Sequence, residues 1–196
     1  MRVVQVKCPS CNTAITMKEK DRLFYCDKCN VMHIRDTGVP EKIDYEIAEF
    51  NQSAQGERVY VPFWRLYTTF IVRSKNVEGG TIFKMTQWLK GGSDSGNMFI
   101  YIPASELDAA NFRRLATMFT GAGPRYPTRL NFAGVKRIPA TMPKQEAAKL
   151  ADFVVVTMEA EQPGVLQRLD YSLTVNDTKL VYLPFTRTTG GLQPAL

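Results

Sequence analysis

The sequence predicts an α+β protein in which a short cysteine-bearing ribbon precedes a mainly antiparallel β domain with two helices. Three observations lead to this prediction. All four cysteines of the 196-residue chain lie before residue 30. Most of the chain from residue 58 onward consists of short β-prone runs separated by turn-forming residues. Two stretches, 105–120 and 143–152, instead carry helix-start residues and a helical pattern of apolar positions.

The cysteines form two Cys-x2-Cys pairs with fourteen residues between them. Each pair supplies two thiolates from one tight turn, and four thiolates satisfy the tetrahedral preference of Zn²⁺. The spacing therefore predicts a zinc ribbon with a structural Zn²⁺ held by Cys8, Cys11, Cys26 and Cys29. Two such pairs also build mononuclear iron sites, so iron remains the alternative metal. Disulfides are disfavoured because no export signal precedes the first pair.

The residues beside each cysteine pair agree with tight metal-binding turns. Asn12 and Asn30 follow the two pairs directly, at positions where the backbone often needs a positive φ that asparagine tolerates. Between the pairs, residues 13–17 and 22–25 are β-prone and predict a hairpin that closes the metal site. Residues 31–35 predict a third strand.

His33 is the only histidine of the chain and follows Cys29 by four residues. Four thiolates already saturate a structural zinc site, which keeps no open position for a further ligand. His33 is therefore interpreted as a residue of the third strand, and a role as ligand or catalytic base is the less favoured alternative.

The segment Phe24-Tyr-Cys-Asp-Lys-Cys-Asn-Val-Met-His33 resembles the zinc ribbons found at the N-terminus of many bacterial proteins. The resemblance covers residues 1–38. It implies metal binding but no particular activity, because such ribbons serve nucleic-acid binding and protein docking alike. The motifs Val61-Pro-Phe63 and Leu183-Pro-Phe185, together with the ribbon, look like parts of uncharacterised bacterial zinc-ribbon proteins.

Composition divides the chain into three parts. Residues 1–38 form the zinc ribbon, residues 39–57 are predicted to be an acidic linker, and residues 58–196 form a β-rich α+β domain. We expect one helical turn in the linker, around residues 45–50. Because a linker separates them, the ribbon and the β-rich domain are expected to fold as separate units.

Within the β-rich domain, Ser105 is predicted to cap the first helix and Pro143 to begin the second. Asn176-Asp177 predicts a two-residue hairpin. The β-branched residues of 153–159 favour a strand over a continued helix. The remaining predicted strands are 59–61, 63–72, 81–89, 97–102, 169–175 and 178–183.

Four prolines recur in similar settings, each after an aliphatic residue and before phenylalanine or alanine. They are Pro62, Pro103, Pro139 and Pro184. Because proline cannot donate a hydrogen bond to a strand ladder, each is predicted to mark the point where a strand stops pairing. A duplicated half-domain is the alternative explanation.

The charge pattern limits the possible partners. The formal net charge of +6 becomes +4 when four thiolates (−4) and one Zn²⁺ (+2) are counted. Basic residues concentrate between residues 109 and 144, which contain no acidic residue, whereas residues 41–57 are mainly acidic. The longest apolar runs are far shorter than the roughly 18 residues that cross a bilayer. A cytoplasmic protein is therefore expected.

Known catalytic motifs are missing from the sequence. A single histidine excludes most triads outside the ribbon, and no G-x4-G-K-[ST] phosphate loop is present. We therefore expect no catalytic activity.

Two binding functions remain. The favoured one is a protein-interaction or scaffold module, with a protein partner or self-association, whose candidate anchors are Trp64, Tyr67, Trp88, Tyr101 and Tyr126. The alternative is nucleic-acid binding through the ribbon and the basic stretch 113–137. In either case the candidate partner-binding residues are Arg113, Arg114, Arg125, Arg129, Lys136 and Arg137. Pairing of these residues with acidic side chains would favour a protein partner.

Overall fold

The computed structural model describes residues 2–19, 21–35, 40–78, 95–161 and 165–196. Its strands are β1 (Val3–Lys7), β2 (Ala14–Lys18), β3 (Leu23–Cys26), β4 (Val31–Ile34), β5 (Glu41–Ile43), β6 (Tyr45–Ala48), β7 (Glu57–Glu78), β8 (Ser95–Pro103), β9 (Thr128–Arg129), β10 (Lys136–Arg137), β11 (Val165–Thr188) and β12 (Gly191–Pro194). Its helices are α1 (Ala109–Ala122) and α2 (Lys144–Ala160). The predicted α+β class, rich in antiparallel strands and with two helices, is confirmed. The predicted strand 81–89 lies outside the described residues.

The large sheet is built on one long antiparallel pair, β7 with β11. On the β7 side, β8 pairs antiparallel and β10 pairs parallel. On the β11 side, β12 pairs antiparallel and β6 pairs parallel, and β9 completes the sheet beside β6. Neither helix in the described part of the chain is long and apolar enough to cross a membrane.

The predicted hairpin at Asn176-Asp177 is wrong, because β11 runs through this position without turning. The ladder shifts register between Val175 and Asp177, so Asn176 is the extra residue of a bulge. Its side-chain amide donates to Thr69 Oγ1 over 2.8 Å. An Asn-Asp pair satisfies the geometry of a bulge as well as that of a turn, and the long β7 partner decides between them.

Pro62 and Pro184 lie within the β7–β11 ladder and interrupt pairing only on the side of each strand that faces away from the other. Pro62 lies where β10 gives way to β8 as the partner of β7, and its carbonyl accepts from the Ala104 amide at 2.8 Å. Pro184 lies where β6 gives way to β12 beside β11, and its carbonyl accepts from Ala195 at 2.9 Å. The prediction that these prolines end their strands is wrong, whereas β8 does end at Pro103. A proline fits inside a strand where no outer partner requires its missing N–H.

The ribbon differs from the predicted hairpin in its pairing. Each cysteine pair turns its own hairpin, β1 with β2 and β3 with β4. Strands 13–17 and 22–25, predicted to pair with each other, therefore belong to different sheets. β5 adds a third strand beside β4.

The segment predicted as an acidic linker also contains strands. β5 extends the ribbon, and β6 lies in the large sheet next to β11. The helical turn expected around residues 45–50 is wrong, because Ile47 and Ala48 are fully buried in strand conformation. The polar composition of 39–57 concealed this short apolar segment.

The ribbon and the large sheet share one hydrophobic core. Ribbon residues Leu23, Tyr25, Met32 and Ile34 belong to the same cluster of buried side chains as Tyr60, Trp64 and Leu66 of β7 and Val154, Val155 and Met158 of α2. On the opposite face of β7, Phe63 packs against Leu115 and Phe119 of α1. The sheet is therefore covered on one face by the ribbon and α2, and over part of the other face by α1.

Hydrogen bonds and one cation reinforce the contact between the ribbon and the large sheet, which we call the junction. The Arg22 amide donates to Ala140 over 3.0 Å, and the Ala140 amide donates to Asp21 Oδ1 over 3.2 Å. The Arg137 guanidinium lies 4.7 Å from the ring centre of Phe132 and 5.2 Å from that of Tyr25, which are cation–π distances. The ribbon and the large sheet are thus in continuous contact, which conflicts with the expectation that a linker separates them.

Both helices begin or end at positions other than those predicted. α1 is capped by Asp108, not Ser105, because Asp108 Oδ1 accepts from the Asn111 amide at 2.9 Å. α2 continues through 153–159, the segment predicted as a strand. Its buried residues recur at the helical period, and their burial against the sheet outweighs the weak β preference of valine.

Two valines of α2 test this helical assignment. Val154 is 1% exposed and Val156 is 42% exposed. We expect Val154→Ala to lower the free energy of unfolding by about 1–3 kcal/mol, and Val156→Ala to change it by less than about 0.5 kcal/mol. Urea denaturation of both variants measures the difference. Equal effects would instead match the alternation of a strand, which places residues 154 and 156 on one face.

The junction also predicts a dependence of stability on pH. Burial raises the pKa of Asp21 to about 6. The folded protein thus holds this proton to a higher pH than the unfolded chain does, and the associated stability is lost as pH rises through about 6. Between pH 5 and 8, wild type should lose about 1 kcal/mol relative to Asp21→Asn.

Urea denaturation of wild type and Asp21→Asn across this pH range isolates the effect of Asp21, because the cysteines contribute the same pH dependence of stability to both proteins. The exposed Asp44→Asn serves as control and should track the wild type. A constant difference between wild type and Asp21→Asn would contradict the prediction.

Candidate functional site

The two cysteine turns have the same backbone geometry. The Asn12 amide donates to the Cys8 carbonyl, and the Asn30 amide donates to the Cys26 carbonyl, each over 2.8 Å. Asn12 and Asn30 have φ angles of 58° and 52°. The prediction that these asparagines adopt a positive φ is confirmed, and each turn directs two sulfurs toward the other turn.

The four predicted metal ligands come together. All four Sγ atoms lie within 4.8 Å of one another. Cys8 Sγ is 3.7 Å from Cys29 Sγ, and Cys11 Sγ is 3.5 Å from Cys26 Sγ. Zn–S bonds of about 2.3 Å in a tetrahedron place two sulfurs about 3.8 Å apart. The donor set and its spacing are therefore compatible with a bound metal ion.

The local environment shifts the pKa values of two of these thiols in opposite directions. The Thr13 hydroxyl oxygen lies 3.3 Å from Cys11 Sγ. Hydrogen bonds from the Thr13 side chain and backbone lower the pKa of Cys11 to about 6. Burial and the neighbouring cysteines raise the pKa of Cys29 to about 12. A bound cation would supply the positive charge that favours the thiolate form of all four groups.

His33 contacts this site from outside the group of four sulfurs. Its Nε2 atom lies 3.6 Å from Cys8 Sγ, and its ring stacks on Phe24 with ring centres 5.0 Å apart. Burial and Lys42 lower the pKa of His33. The sequence offered one signal for this contact, because His33 lies in the strand that follows the second cysteine pair and is therefore held near the sulfur cluster.

The six predicted basic residues are distributed over several elements. Arg113 and Arg114 lie on α1, Arg129 on β9, Lys136 and Arg137 on β10, and Arg125 on the connection after α1. Several of them have local partners. Arg113 Nε lies 2.9 Å from Glu161 Oε1, and Lys136 Nζ lies 2.7 Å from Glu57 Oε1. Arg137 stands over aromatic rings, as described above.

The face of the large sheet that α1 partly covers is exposed beyond this helix. Along β7, Phe63 is buried beneath α1, whereas the side chains that follow on the same face, Arg65, Tyr67, Thr69 and Ile71, are partly or fully exposed. From β8, Asn97 and Phe99 point to this face, since Asn97 bonds Thr69 and Phe99 contacts Tyr67. We call these six residues the open face.

Apolar groups dominate the middle of the open face. Phe99 is 45% exposed and Ile71 is 43% exposed. Tyr67 lies beside Phe99 with ring centres 5.2 Å apart, and the Arg65 guanidinium lies 5.1 Å from the Phe99 ring centre. Among the candidate anchors, Tyr67 and Tyr126 are partly exposed, Trp64 and Tyr101 are buried, and Trp88 lies outside the described residues.

A charged network lies at the end of the open face nearest α1, which we call its lower end. Arg65 binds Glu46 with two bonds of 2.9 and 3.0 Å, and Lys179 Nζ lies 3.0 Å from the same carboxylate. Tyr126 also donates to Glu46 over 3.3 Å. Burial alone would raise the pKa of Glu46, but the hydrogen bonds from Lys179 and Arg65 outweigh burial and lower it. Sequence reasoning missed this network because its members come from four distant segments.

Metal removal provides a test of the shared core. Because Leu23 and Tyr25 pack into the same cluster as Tyr60, loss of the metal should destabilise the large sheet together with the ribbon. We expect purified protein to contain one metal ion per chain by elemental analysis. Chelation, or Cys26→Ser, should lower the midpoint of a single thermal transition followed by circular dichroism.

A β-rich domain whose unfolding transition is unchanged by chelation would instead support separate folding units. Metal-free purified wild-type protein would contradict the site itself.

Comparison with known proteins adds no relative. No protein-family model, curated protein or solved structure matches this chain. What the protein binds is therefore inferred from the geometry of its own residues.

Proposed function

We propose that the protein is a zinc-stabilised, non-catalytic module that binds a protein partner through the open face of its large sheet. One observation carries this proposal: the exposed Ile71 and Phe99 and the partly exposed Tyr67 form an aromatic and aliphatic surface on the large sheet. The rest of this sheet packs into two buried clusters, one on each face. Exposed apolar patches on an otherwise well-packed domain are typical of interaction sites.

Zinc is the favoured metal because the donor set consists of four thiolates, which soft and borderline metals prefer. Cys8 and Cys26 are almost completely buried, and four thiolates fill a tetrahedral site. In this proposal the metal supplies folding free energy to the junction between ribbon and sheet. It takes no part in a reaction.

The chemistry of the open face favours a protein over a nucleic acid. Arg65 and Lys179, the cations at its lower end, both bind Glu46 and are therefore already neutralised in part. Nucleic-acid binding relies on several cations free to bind phosphates. Protein interfaces instead combine aromatic residues with arginine at the centre and polar groups at the rim, as Phe99, Arg65 and Asn97 do here.

The basic stretch 113–137 gives the nucleic-acid alternative little support. Lys136 pairs with Glu57, one of the acidic residues of 41–57, and Arg113 pairs with Glu161. Arg137 is partly buried at the junction, where it stabilises aromatic packing. Arg114 bonds neutral oxygens of Asn111 and Leu192, so Arg114 and Arg125 remain as exposed cations of this stretch, which is a small contribution to phosphate affinity.

Two exposed phenylalanines provide a matched test. Phe99 lies on the open face and is 45% exposed, whereas Phe153 lies on the outer side of α2 and is 50% exposed. A photo-crosslinking phenylalanine analogue at each position, expressed in the source cells, should capture a discrete protein at position 99 only. With that purified protein, or with a second copy of this chain if that is what is captured, Phe99→Ala should weaken binding about 10-fold or more, and Phe153→Ala by less than about twofold.

Equal capture or equal loss at both positions would contradict the assignment of the open face. Nucleic acid is tested separately by fluorescence anisotropy with labelled single- and double-stranded oligonucleotides. Submicromolar, salt-sensitive binding that is lost in Arg125→Ala and Arg129→Ala would overturn the preference for a protein partner.

A further inference from the structure

The nitrogen atoms of His33 have unequal surroundings. The residue is fully buried. Its Nε2 atom lies 3.6 Å from Cys8 Sγ, whereas its Nδ1 atom is buried without a hydrogen-bond partner among the described residues. A proton on Nδ1 would leave a buried donor without an acceptor, and a charged ring would add the cost of a buried charge.

These surroundings select one form of the ring. A neutral imidazole carries a single N–H, and its position is set by the acceptor available to it. The Cys8 sulfur is the acceptor within reach, so the proton belongs on Nε2. Stacking on Phe24, with the rings 18° from parallel, holds the ring in this orientation.

His33 is not a fifth ligand in this geometry. The donors that all lie within 4.8 Å of one another are the four cysteine sulfurs, and this group does not include a His33 nitrogen. The ring therefore approaches Cys8 from outside the tetrahedron. Cys8 itself is 2% exposed, so its thiolate has little water to stabilise its charge.

We propose that His33 is a positioning residue for the metal centre, whose Nε2–H donates a hydrogen bond to the Cys8 thiolate. The bond supplies a donor where solvent is excluded, and it fixes the direction of the Cys8 sulfur. It also withdraws electron density from that sulfur, which alters the bond between Cys8 and the metal. This inference rests on the metal part of the proposed function and is independent of the partner.

Two substitutions separate the N–H donor from the packing of the ring. His33→Phe keeps an aromatic ring against Phe24 but removes the donor, and His33→Gln keeps an N–H that extends about as far as Nε2. Zn²⁺ affinity is measured on the full chain by competition with a colorimetric chelator. The sulfur-to-metal charge-transfer band is measured with Co²⁺ in place of Zn²⁺.

We expect His33→Phe to lower Zn²⁺ affinity about 10-fold or more and to shift the Co²⁺ charge-transfer band. His33→Gln should restore most of the affinity and the wild-type band position. Unchanged affinity and band in His33→Phe would overturn the proposal. Equal losses in both variants would also overturn it, because they would indicate packing alone.

A measurement on the wild type keeps the test decisive if a variant does not fold. Long-range ¹H–¹⁵N correlation spectra of the zinc-loaded protein report the tautomer of its single histidine. We expect the proton on Nε2, and a proton on Nδ1 would overturn the inference while leaving the metal site intact. Failure of wild type to bind Zn²⁺ or Co²⁺ would instead refute the metal part of the proposed function.

Discussion

The pairing of β7 with β11 is the constraint on which the rest of the structure depends. Their partners run from Glu57 with Arg187 to Glu78 with Val165, and the other strands of the large sheet attach directly or indirectly to this pair. The contacts join residues about a hundred positions apart in the chain. Because loop closure precedes any gain from such contacts, formation of this pair is expected to limit the rate of folding.

The four-cysteine cluster is connected to this pair through side chains. Cys26 ends β3, and its neighbour Tyr25 contacts Phe132, which in turn contacts Tyr60 of β7 and Tyr182 of β11. A chain of edge-to-face aromatic contacts thus extends from the cysteine cluster to the centre of the sheet. The ribbon is therefore part of the core of the protein, although its metal-binding motif is local in sequence.

The sequence predicted local chemistry well and long-range pairing poorly. The four-cysteine site and the positive φ of Asn12 and Asn30 depend on residues a few positions apart, and both were predicted correctly. The pairing of β2 with β1 and the bulge at Asn176 depend on partner strands that local patterns do not specify. Likewise, burial against the sheet keeps 153–159 helical, although their composition favours a strand.

The candidate binding surface shows the same division. Tyr67 could be named from its aromatic character, but its neighbour Phe99 and the shared carboxylate of Glu46 become relevant only when β8 and β6 take their places in the sheet. The basic residues of 113–137 are close in sequence, yet they belong to a helix, two strands and a connection. Proximity in sequence was therefore a poor guide to proximity on the surface.

The placement of Pro62 has a consequence for the size of the open face. Because this residue offers no N–H to an outer strand, β8 stops at its level, and the chain leaves the sheet at Pro103 and continues into α1. α1 then covers Phe63 and leaves the side chains of the same face from Arg65 onward accessible. The boundary between covered and accessible surface thus follows from the N–H group that the Pro62 backbone lacks. Substitutions of surface side chains change the chemistry of the open face but not the position of this boundary.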